Sequence, residues 1–446
     1  MEGRPRPQTV STKQQRIAEL ARQMPGAAIT SLSHHMDLEW LREAHARTRK
    51  DGATGVDEQT AEEFSANLEG NLQALLDGAK SGTYRAPPVR RVHIPKGDGS
   101  KTRPIGIPTY ADKVLQRAVA MLLEPIYEED FYDFSFGFRP ELSAHDALAA
   151  LREQLTSMGS GAWVLEVDIR GFFDNLDHEK LRDLLRQRVT DGVVVRLIGK
   201  WLNAGVLEGG VVHHPATGTP QGGVISPLLA NIYLHEALDK WWVEDVLPRL
   251  RGKAFLTRYA DDFVMVFSSR EDALRVQAVL PQRMVRFGLT LHPEKTRLID
   301  YRRPGGRDGA APGSFDFLGF SHFWGRTRKG AWAPMRKTSK SRFSRALRVL
   351  GTWMARVRHH PVAEQAKILG SKLRGHFRYY GLRGNSAALG RFRYEAVRLW
   401  HKWLSRRSQR GRLTWTVFNQ LLQRHPLPPA RLNPDWRQPL LPFANP

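Results

Sequence analysis

An α+β unit followed by an all-helical module is the fold class that this 446-residue sequence predicts. Three observations lead there. Helical periods and short alternating stretches interleave up to about residue 320, and from about Ser339 to Gln423 the period is purely helical. Charge divides at the same place. Of 68 Lys and Arg against 45 Asp and Glu, residues 321–446 hold 27 bases and three acids (Glu364, Glu395, Asp435), so a net +24 sits behind a first part of net −1. Seven of the twelve tryptophans lie in that basic segment, among them Trp353, Trp400, Trp403 and Trp415. Bases interleaved with aromatics suit a polyanion whose phosphates are neutralised and whose bases can be stacked upon. A helical domain with one basic face and a tryptophan core fits the same composition, but its self-repulsion would then go uncompensated.

The elements follow in order. Residues 1–30 read as a basic arm with a short helix over 14–23, and helices are expected over 38–50 and 58–80. RRVHIPKGDGSKTRPIGIPT alternates on both sides of Gly97-Asp98-Gly99 and predicts a β-hairpin. A helix over 112–124 should stop at Pro125. A strand over 163–169 leads to a helix capped by Asp177, with Glu179 in its first turn. The loop Gly218 to Gly223 enters a helix at Ser226 with Pro227 at its start. FLTRYADDFVMVF predicts strand, tight turn, strand, before a helix over 271–288 and a strand over 290–298. The prolines of HPLPPARLNPDWRQPLLPF end the helical pattern.

Several classes are excluded. With no cysteine there is no disulfide framework and no Cys-ligated zinc site. Arg196 and Lys200 interrupt the best apolar run, so no membrane span is expected, and the N-terminus lacks an apolar leader core. A cytoplasmic chain is expected.

Two segments put acids where a fold normally puts hydrophobes. In VLEVDIRGFFDNLD, Asp168 closes an apolar strand, where a bare carboxylate is costly unless it binds a cation or hydrogen bonds. In RYADDFVMVF, Asp261 and Asp262 sit at a hairpin tip. An Asp-Asp pair there also suits plain turn chemistry. Together the two segments offer hard oxygen ligands from two strands, enough for two Mg²⁺ ions. Two such ions about 4 Å apart activate a 3′-hydroxyl and stabilise a pyrophosphate leaving group, which is nucleotidyl transfer.

IPKGDGSKTRPIGIPT, FSFGFRP, VLEVDIRGFFDNLDH, GTPQGGVISPLLANIYL, YADD, GLTLHPEKT, FDFLGF and KLRGHFRYYGL stand in that order. Residues 90–320 resemble a reverse transcriptase, and residues 54–424 resemble the group II intron-encoded reverse transcriptase/maturase. The resemblance implies a right-hand polymerase fold, with fingers and palm over 86–325 after an N-terminal extension over 1–85. It places a helical thumb/maturase domain over 326–425, ahead of a Pro-rich tail over 426–446. It implies RNA-directed DNA polymerase activity with Mg²⁺, or Mn²⁺ in its place, at Asp168, Asp261 and Asp262. The implied partners are deoxynucleoside triphosphates, an RNA template with a DNA primer, a DNA target and structured intron RNA. The oligomeric state stays open, a dimer included.

Lys96 and Arg103 flank the hairpin turn and can clamp a triphosphate, though two bases on a hairpin also suit a solvated edge. The resemblance puts an aromatic, Phe173, against the nucleotide sugar, where it would clash with a 2′-hydroxyl. One of Phe172 and Phe173 is expected in the core. Gln221 offers an amide beside glycines that let backbone approach the nucleotide. Lys295 matches a lysine near the pyrophosphate, a general acid, or is a surface strand residue. Arg139 contacts template or nucleotide, or orders its own loop through a salt bridge. Arg342, Arg345, Arg374, Arg378, Tyr379 and Tyr380 carry the implied nucleic-acid contacts, with helix packing the alternative for the tyrosines. No HNH-like histidine cluster follows residue 425, so the endonuclease of longer family members is expected to be missing. Two other functions fit the same motifs: a splicing-only RNA-binding maturase, and a host-adopted reverse transcriptase in phage defence or DNA repair.

Overall fold

Side-chain caps visible in the sequence start most of the early helices. In the computed structural model, which describes residues 9–96, 101–159, 161–213, 218, 222–304, 313–408 and 413–433, the Thr9 side chain accepts from the Thr12 amide at the head of α1 (Val10–Gln23). Asp37 accepts from the Trp40 amide at the head of α2 (Leu38–Arg47). Thr60 and Glu63 form a reciprocal capping box on α3 (Ala61–Ala66), and α4 (Leu68–Ser81) ends on the left-handed Gly82. The single helix expected over 58–80 is therefore two. Asn67 (φ −128°, ψ 55°) leaves the helical region between them, and Asn71 Nδ2 donates to the Phe64 carbonyl at 2.8 Å.

β1 (Val89–Lys96) and β2 (Lys101–Ile107) form the expected hairpin, with Lys96 opposite Lys101. α5 (Tyr110–Asp130) runs on past Pro125, contrary to the expected stop. A proline has no N–H for the carbonyl four residues back, here Met121, and Gln14 Nε2 of α1 donates to that carbonyl instead at 3.1 Å. Leu122, Leu123 and Ile126 are fully buried around the proline, so tertiary packing holds the helix where local propensity would break it.

The chain continues with α6 (Ala144–Ser157), β3 (Trp163–Asp168), α7 (His178–Arg188) and α8 (Gly192–Leu202). Asp177 caps α7 through the Glu179 and Lys180 amides. Asp191 caps α8 with one oxygen and takes the Leu32 and Ser33 amides with the other, at 2.7 and 2.9 Å. A short hairpin, β4 (Val206–Glu208) and β5 (Val211–His213), precedes α9 (Ser226–Leu234), which continues through π-helical turns at His235–Asp239 and Trp241–Val246. Then come β6 (Ala254–Tyr259), β7 (Asp262–Phe267), α10 (Arg270–Arg286) and β8 (Arg297–Asp300). β8 starts later than the strand expected over 290–298. Pro293 begins a turn there, in which the His292 carbonyl accepts the Lys295 and Thr296 amides.

Two four-stranded sheets result, ordered β2-β1-β4-β5 and β6-β7-β3-β8. The chain divides into two units: Met1–Ala147 with Leu165–Leu298, and Leu148–Val164 with Ile299–Pro446. Two arginines organise the interior of the first. Arg188 pairs with Asp130 at 2.7 Å and donates to the Ala21, Met24 and Ala27 carbonyls, closing the C-terminal end of α1. Arg258 of β6 has no solvent exposure, and neither has its partner Asp239. Its Nε and Nη2 donate to the two Asp239 oxygens at 2.8 and 2.5 Å, and its Nη1 donates to Asn231 Oδ1 and the Ala260 carbonyl at 3.1 and 3.2 Å. Burial alone would raise the Asp239 carboxyl, but the Arg258 charge and the two Arg258 hydrogen bonds hold it below its ordinary value.

The second unit begins with a sheet ordered β11-β10-β9, from β9 (Phe315–Phe317), β10 (Phe320–Arg326) and β11 (Trp332–Thr338). β11 falls inside the stretch 326–425 that the sequence reading gave to helices. Four helices follow: α11 (Lys340–Arg356), α12 (Val362–Tyr380), α13 (Ser386–Leu404) and α14 (Trp415–Arg424). Leu350, Met354, Leu373, Phe392, Trp400 and Phe418 lie in their common core. Trp400 Nε1 donates to Gln365 Oε1 at 3.1 Å, so the buried indole is satisfied. Among the described residues no helix is long and apolar enough to cross a membrane.

Replacing Arg258 by Met leaves Asp239 buried and unpaired. The expected loss of unfolding free energy is about 3–5 kcal/mol, largely restored in Arg258→Met/Asp239→Leu. Urea titration checks this, and a single variant as stable as wild type would remove the pair from its organising role.

A second expectation concerns acid. His322 of β10 is 2 % exposed, stacks on Phe315 at 4.9 Å, and burial pushes its pKa down to about 3. An unfolded His takes its proton near pH 6.5, so the unfolded chain binds more protons between about pH 6.5 and 3. Stability of the second unit therefore falls as pH drops through that window. His322→Phe should narrow the difference in urea midpoint between pH 7 and pH 5; an unchanged difference would show that His322 is not its source.

Candidate active site

β3 delivers Asp168 as its last residue, with a carboxylate that is 43 % exposed. The turn before β8 is stitched beside it. The Ile169–Leu291 bridge, Arg170 N–H to the Thr290 carbonyl (2.8 Å) and His292 N–H to the Asp168 carbonyl (2.8 Å) fix its position. That turn aims Lys295 Nζ at Asp168 Oδ2, 2.9 Å away. Lys295 is thus an exposed residue of a turn beside the acid rather than of a strand.

β6 and β7 pair with Tyr259 opposite Asp262, which leaves Ala260 and Asp261 as a two-residue turn. Ala260 is left-handed (φ 56°), as the first position of such a hairpin turn requires. The Arg258 bond to the Ala260 carbonyl holds this conformation from inside. FSFGFRP braces it from the flank, where Arg258 N–H donates to the Phe134 carbonyl at 2.8 Å and Phe136 N–H to the Arg258 carbonyl at 2.9 Å. A Cβ on Gly137 would lie 2.3 Å from the Ala260 nitrogen, so only glycine fits there. Asp261 is half-buried in the turn, and Asp262 is exposed as the first residue of β7, the strand that neighbours β3.

The expected metal triad is therefore carried by adjacent strands of one sheet. Among the described residues, however, no three His, Asp or Glu side chains converge into a group that could hold a metal ion. Asp168 faces the Lys295 ammonium instead. The donor chemistry still fits a hard divalent cation: the carboxylates of Asp168 and Asp262 are open to solvent, and a positive charge already stands on Asp168.

Phe172 is the core member of its pair, at 2 % exposure, and Phe173 is half-exposed against it with ring centroids 5.3 Å apart. In the loop of Gly218 and Gly222 the two glycines are also needed for close approaches within the chain itself. A Cβ on Gly218 (φ 94°) would lie 3.0 Å from the Asp174 carbonyl oxygen, and one on Gly222 (φ 129°) 2.5 Å from that of Gly106. Gln116, which the sequence reading passed over, anchors the loop by accepting the Val224 amide at 2.8 Å. A glutamine inside a helix carries no signal of that role. Gln221 lies outside the described residues.

Arg103 is exposed on β2 opposite Ile94, and the Lys96 side chain is outside what is described. The base of that hairpin is fixed, since Arg90 donates to the Thr54 carbonyl and His93 meets Glu208 at 2.7 Å. Arg139 takes the second of its two expected roles. Its guanidinium is buried, pairs with Glu128 at 3.0 Å, donates to the Tyr132 and Ser135 carbonyls, and lies over Phe131, which spends it on ordering its loop.

In the second unit Arg342 and Arg345 are exposed on α11, and Arg374 and Arg378 on α12. Tyr379 donates its hydroxyl to the Leu318 carbonyl at 2.9 Å, and the Tyr380 ring packs on Phe320 at 5.2 Å. Both tyrosines thus brace the β9–β10 turn, where Leu318 and Gly319 have positive φ. This is the packing alternative, although Tyr380 also lines an adjoining cavity.

Residues 94–322 match the family model described as reverse transcriptase (RNA-dependent DNA polymerase). Protein YkfC of Escherichia coli K12 is 36% identical over 356 residues, covering 72% of this chain and 90% of that protein. The group II intron-encoded protein LtrA of Lactococcus lactis is 44% identical over 206 residues, 46% of this chain and 33% of LtrA. Nuclear intron maturase 2, mitochondrial, of Arabidopsis thaliana is 26% identical over 44% of this chain and 30% of its own. The chain thus spans nearly all of YkfC but about a third or less of the two intron proteins. It belongs to the reverse transcriptase family, among relatives that include group II intron-encoded proteins.

Proposed function

We propose that the chain is an RNA-directed DNA polymerase that binds structured intron RNA and supports group II intron splicing and mobility. The observation that carries this reading is Asp168 at the end of β3 and the Ala260-Asp261 turn at the head of β7, on adjacent strands of one sheet in a chain of this family. Residues 86–325 act as fingers and palm, 326–425 as thumb and maturase, and 1–85 as an N-terminal extension.

Asp168, Asp261 and Asp262 would hold Mg²⁺, which when bound activates the primer 3′-hydroxyl and neutralises the leaving pyrophosphate. The residues of the chain do the rest. Arg103 and Lys96 draw the triphosphate to the hairpin face by charge, Arg103 with a planar fork. Phe173 stands half-exposed just past Asp168, where a ring can exclude a ribose 2′-hydroxyl. Lys295 Nζ lies 2.9 Å from Asp168 Oδ2, where it can act as general acid toward the departing pyrophosphate. Template, primer and intron RNA are attracted chiefly by the +24 segment.

Purified chain should extend a DNA primer on an RNA template, and Asp261→Ala should reduce extension by roughly a thousandfold or more, ~4 kcal/mol of transition-state stabilisation. Equal extension by a variant that melts like wild type would remove the carboxylates from the reaction. Phe173→Ala should raise ribonucleotide incorporation relative to deoxynucleotide by roughly tenfold or more. Unchanged sugar discrimination would assign it to another residue.

A further inference from the structure

Two of the motifs meet at their ends, and the residue that joins them has no role above. His178 closes VLEVDIRGFFDNLDH, and Gly218 opens GTPQGGVISPLLANIYL. His178 is the first residue of α7 and is 4 % exposed. Its Nε2 meets the Gly218 carbonyl oxygen, 40 residues further along the chain. A carbonyl oxygen only accepts, so Nε2 is the donor. The Gly218 amide donates in turn to the Leu176 carbonyl at 2.7 Å. The loop therefore starts on two bonds to the segment 176–178.

A buried histidine at the start of a helix would suit packing alone, but the surroundings give this bond a consequence. A Cβ on Gly218 would lie 3.2 Å from the Phe173 carbonyl oxygen and 3.0 Å from that of Asp174. The loop backbone thus rests on the main chain of the ring that is proposed to exclude the 2′-hydroxyl. That main chain is itself fixed, since Asn175 Nδ2 donates to the Arg170 and Gly171 carbonyls at 3.0 Å each. At the far end of the loop, a Cβ on Gly222 would lie 2.5 Å from the Gly106 carbonyl of β2, the strand that carries Arg103. Gln116 takes the Val224 amide there at 2.8 Å. Gln221 stands in sequence between these two anchors. Without the His178 donor the Gly218 carbonyl would have to move to reach water, because a covered acceptor without a partner is costly.

We propose that His178 is a positioning residue for the incoming nucleotide. Its bond fixes where Gly218 sits on the Phe173 main chain, and through it the spacing between that ring and the loop that carries Gln221. This rests on the polymerase reading above and deepens it, adding a residue that acts through main chain rather than by contact. An error in seating weakens ground state and transition state alike, so it is read in KM rather than in kcat.

The test uses the full chain in single-nucleotide extension of a DNA primer on an RNA template, with deoxy- and ribonucleotide compared. His178→Leu keeps a similar volume and drops the donor. It should raise the deoxynucleotide KM by roughly tenfold with kcat changed less than about threefold, and reduce the deoxy-over-ribo preference by roughly threefold or more. His178→Gln, whose Nε2 can donate to the same oxygen, should restore most of both. Gly218→Ala disturbs the same contact from the loop side, pressing a Cβ on the Asp174 carbonyl, and should raise KM likewise. Deoxynucleotide affinity measured on a dideoxy-terminated primer and template, where no turnover occurs, should fall in parallel. Wild-type KM in His178→Leu, a loss confined to kcat, or a His178→Gln no better than His178→Leu would each overturn the proposal. Where His178→Leu melts early, Gly218→Ala decides, and an unchanged KM there overturns it equally. Asp261→Ala run beside these variants separates the two readings. If wild type extends and Asp261→Ala does not, an unchanged His178→Leu sinks the positioning role alone, whereas a wild type that extends nothing sinks both.

Discussion

A guanidinium sealed from water, Arg258, is the constraint on which the sheet that carries Asp168 and Asp262 depends. A buried charge is tolerable only when paired and saturated. Asp239, Asn231 and the Ala260 carbonyl meet that demand from a π-helical turn, from α9 and from the hairpin itself. Asn231 passes the constraint on by donating to the Gly137 carbonyl at 2.6 Å, on the strip that presses against the turn. The left-handed Ala260 and the outward placement of Asp261 and Asp262 are thus consequences of charge neutralisation behind them. A hydrophobic pair could hold β6 as firmly, but it would leave the Ala260 carbonyl without its internal donor.

Elements whose cause is local were legible in the sequence. The pairing of β1 with β2, the YADD turn, the Asp177 cap and the helical period after Ser339 each depend on residues within a few positions of one another. What could not be read depends on partners far along the chain. Pro125 announces a helix end, and only Gln14, more than a hundred residues earlier, explains why the helix continues. β10 alternates in burial, but its inward positions are Phe320, His322 and Trp324, and a histidine in the middle hides the period of two. The acids proposed for the active site stand out because a carboxylate at the end of an apolar strand is itself an anomaly. The Lys295 contact with Asp168 was only half legible, since the motif suggested the lysine's neighbourhood while Pro293 and the His292 carbonyl, not strand pairing, set its direction.

The second unit shows how a segment with so few acids can fold. Its cations are set over aromatic faces: Arg326 over Trp332, Lys372 over Trp353, and Lys402 and Arg406 over Trp403, at 4.6–5.6 Å. Others donate to main-chain oxygens, as Arg407 does to the Arg358 and His360 carbonyls and Arg393 to Pro428. Aromatic quadrupoles and carbonyl dipoles thus do part of what acidic partners do elsewhere. These devices disperse charge without cancelling it, so the module keeps its attraction for polyanions while tolerating its own repulsion. The composition alone suggested that such repulsion would go uncompensated without a polyanion, and these contacts supply the missing part.

Arg188 sets an order on events during synthesis. The carbonyls that close α1, from Ala21 to Ala27, wait for a donor that leaves the ribosome more than 160 residues later. At translation speeds of ~5–20 residues per second, that interval lasts on the order of ten seconds or more. Through it α1 has an unfinished C-terminal end, and its closure coincides with the completion of α7, just after β3 has been laid down. The C-terminal end of α1 is therefore a latch that closes late, so a nascent chain stalled before residue 188 would leave those carbonyls open, whereas the finished protein does not.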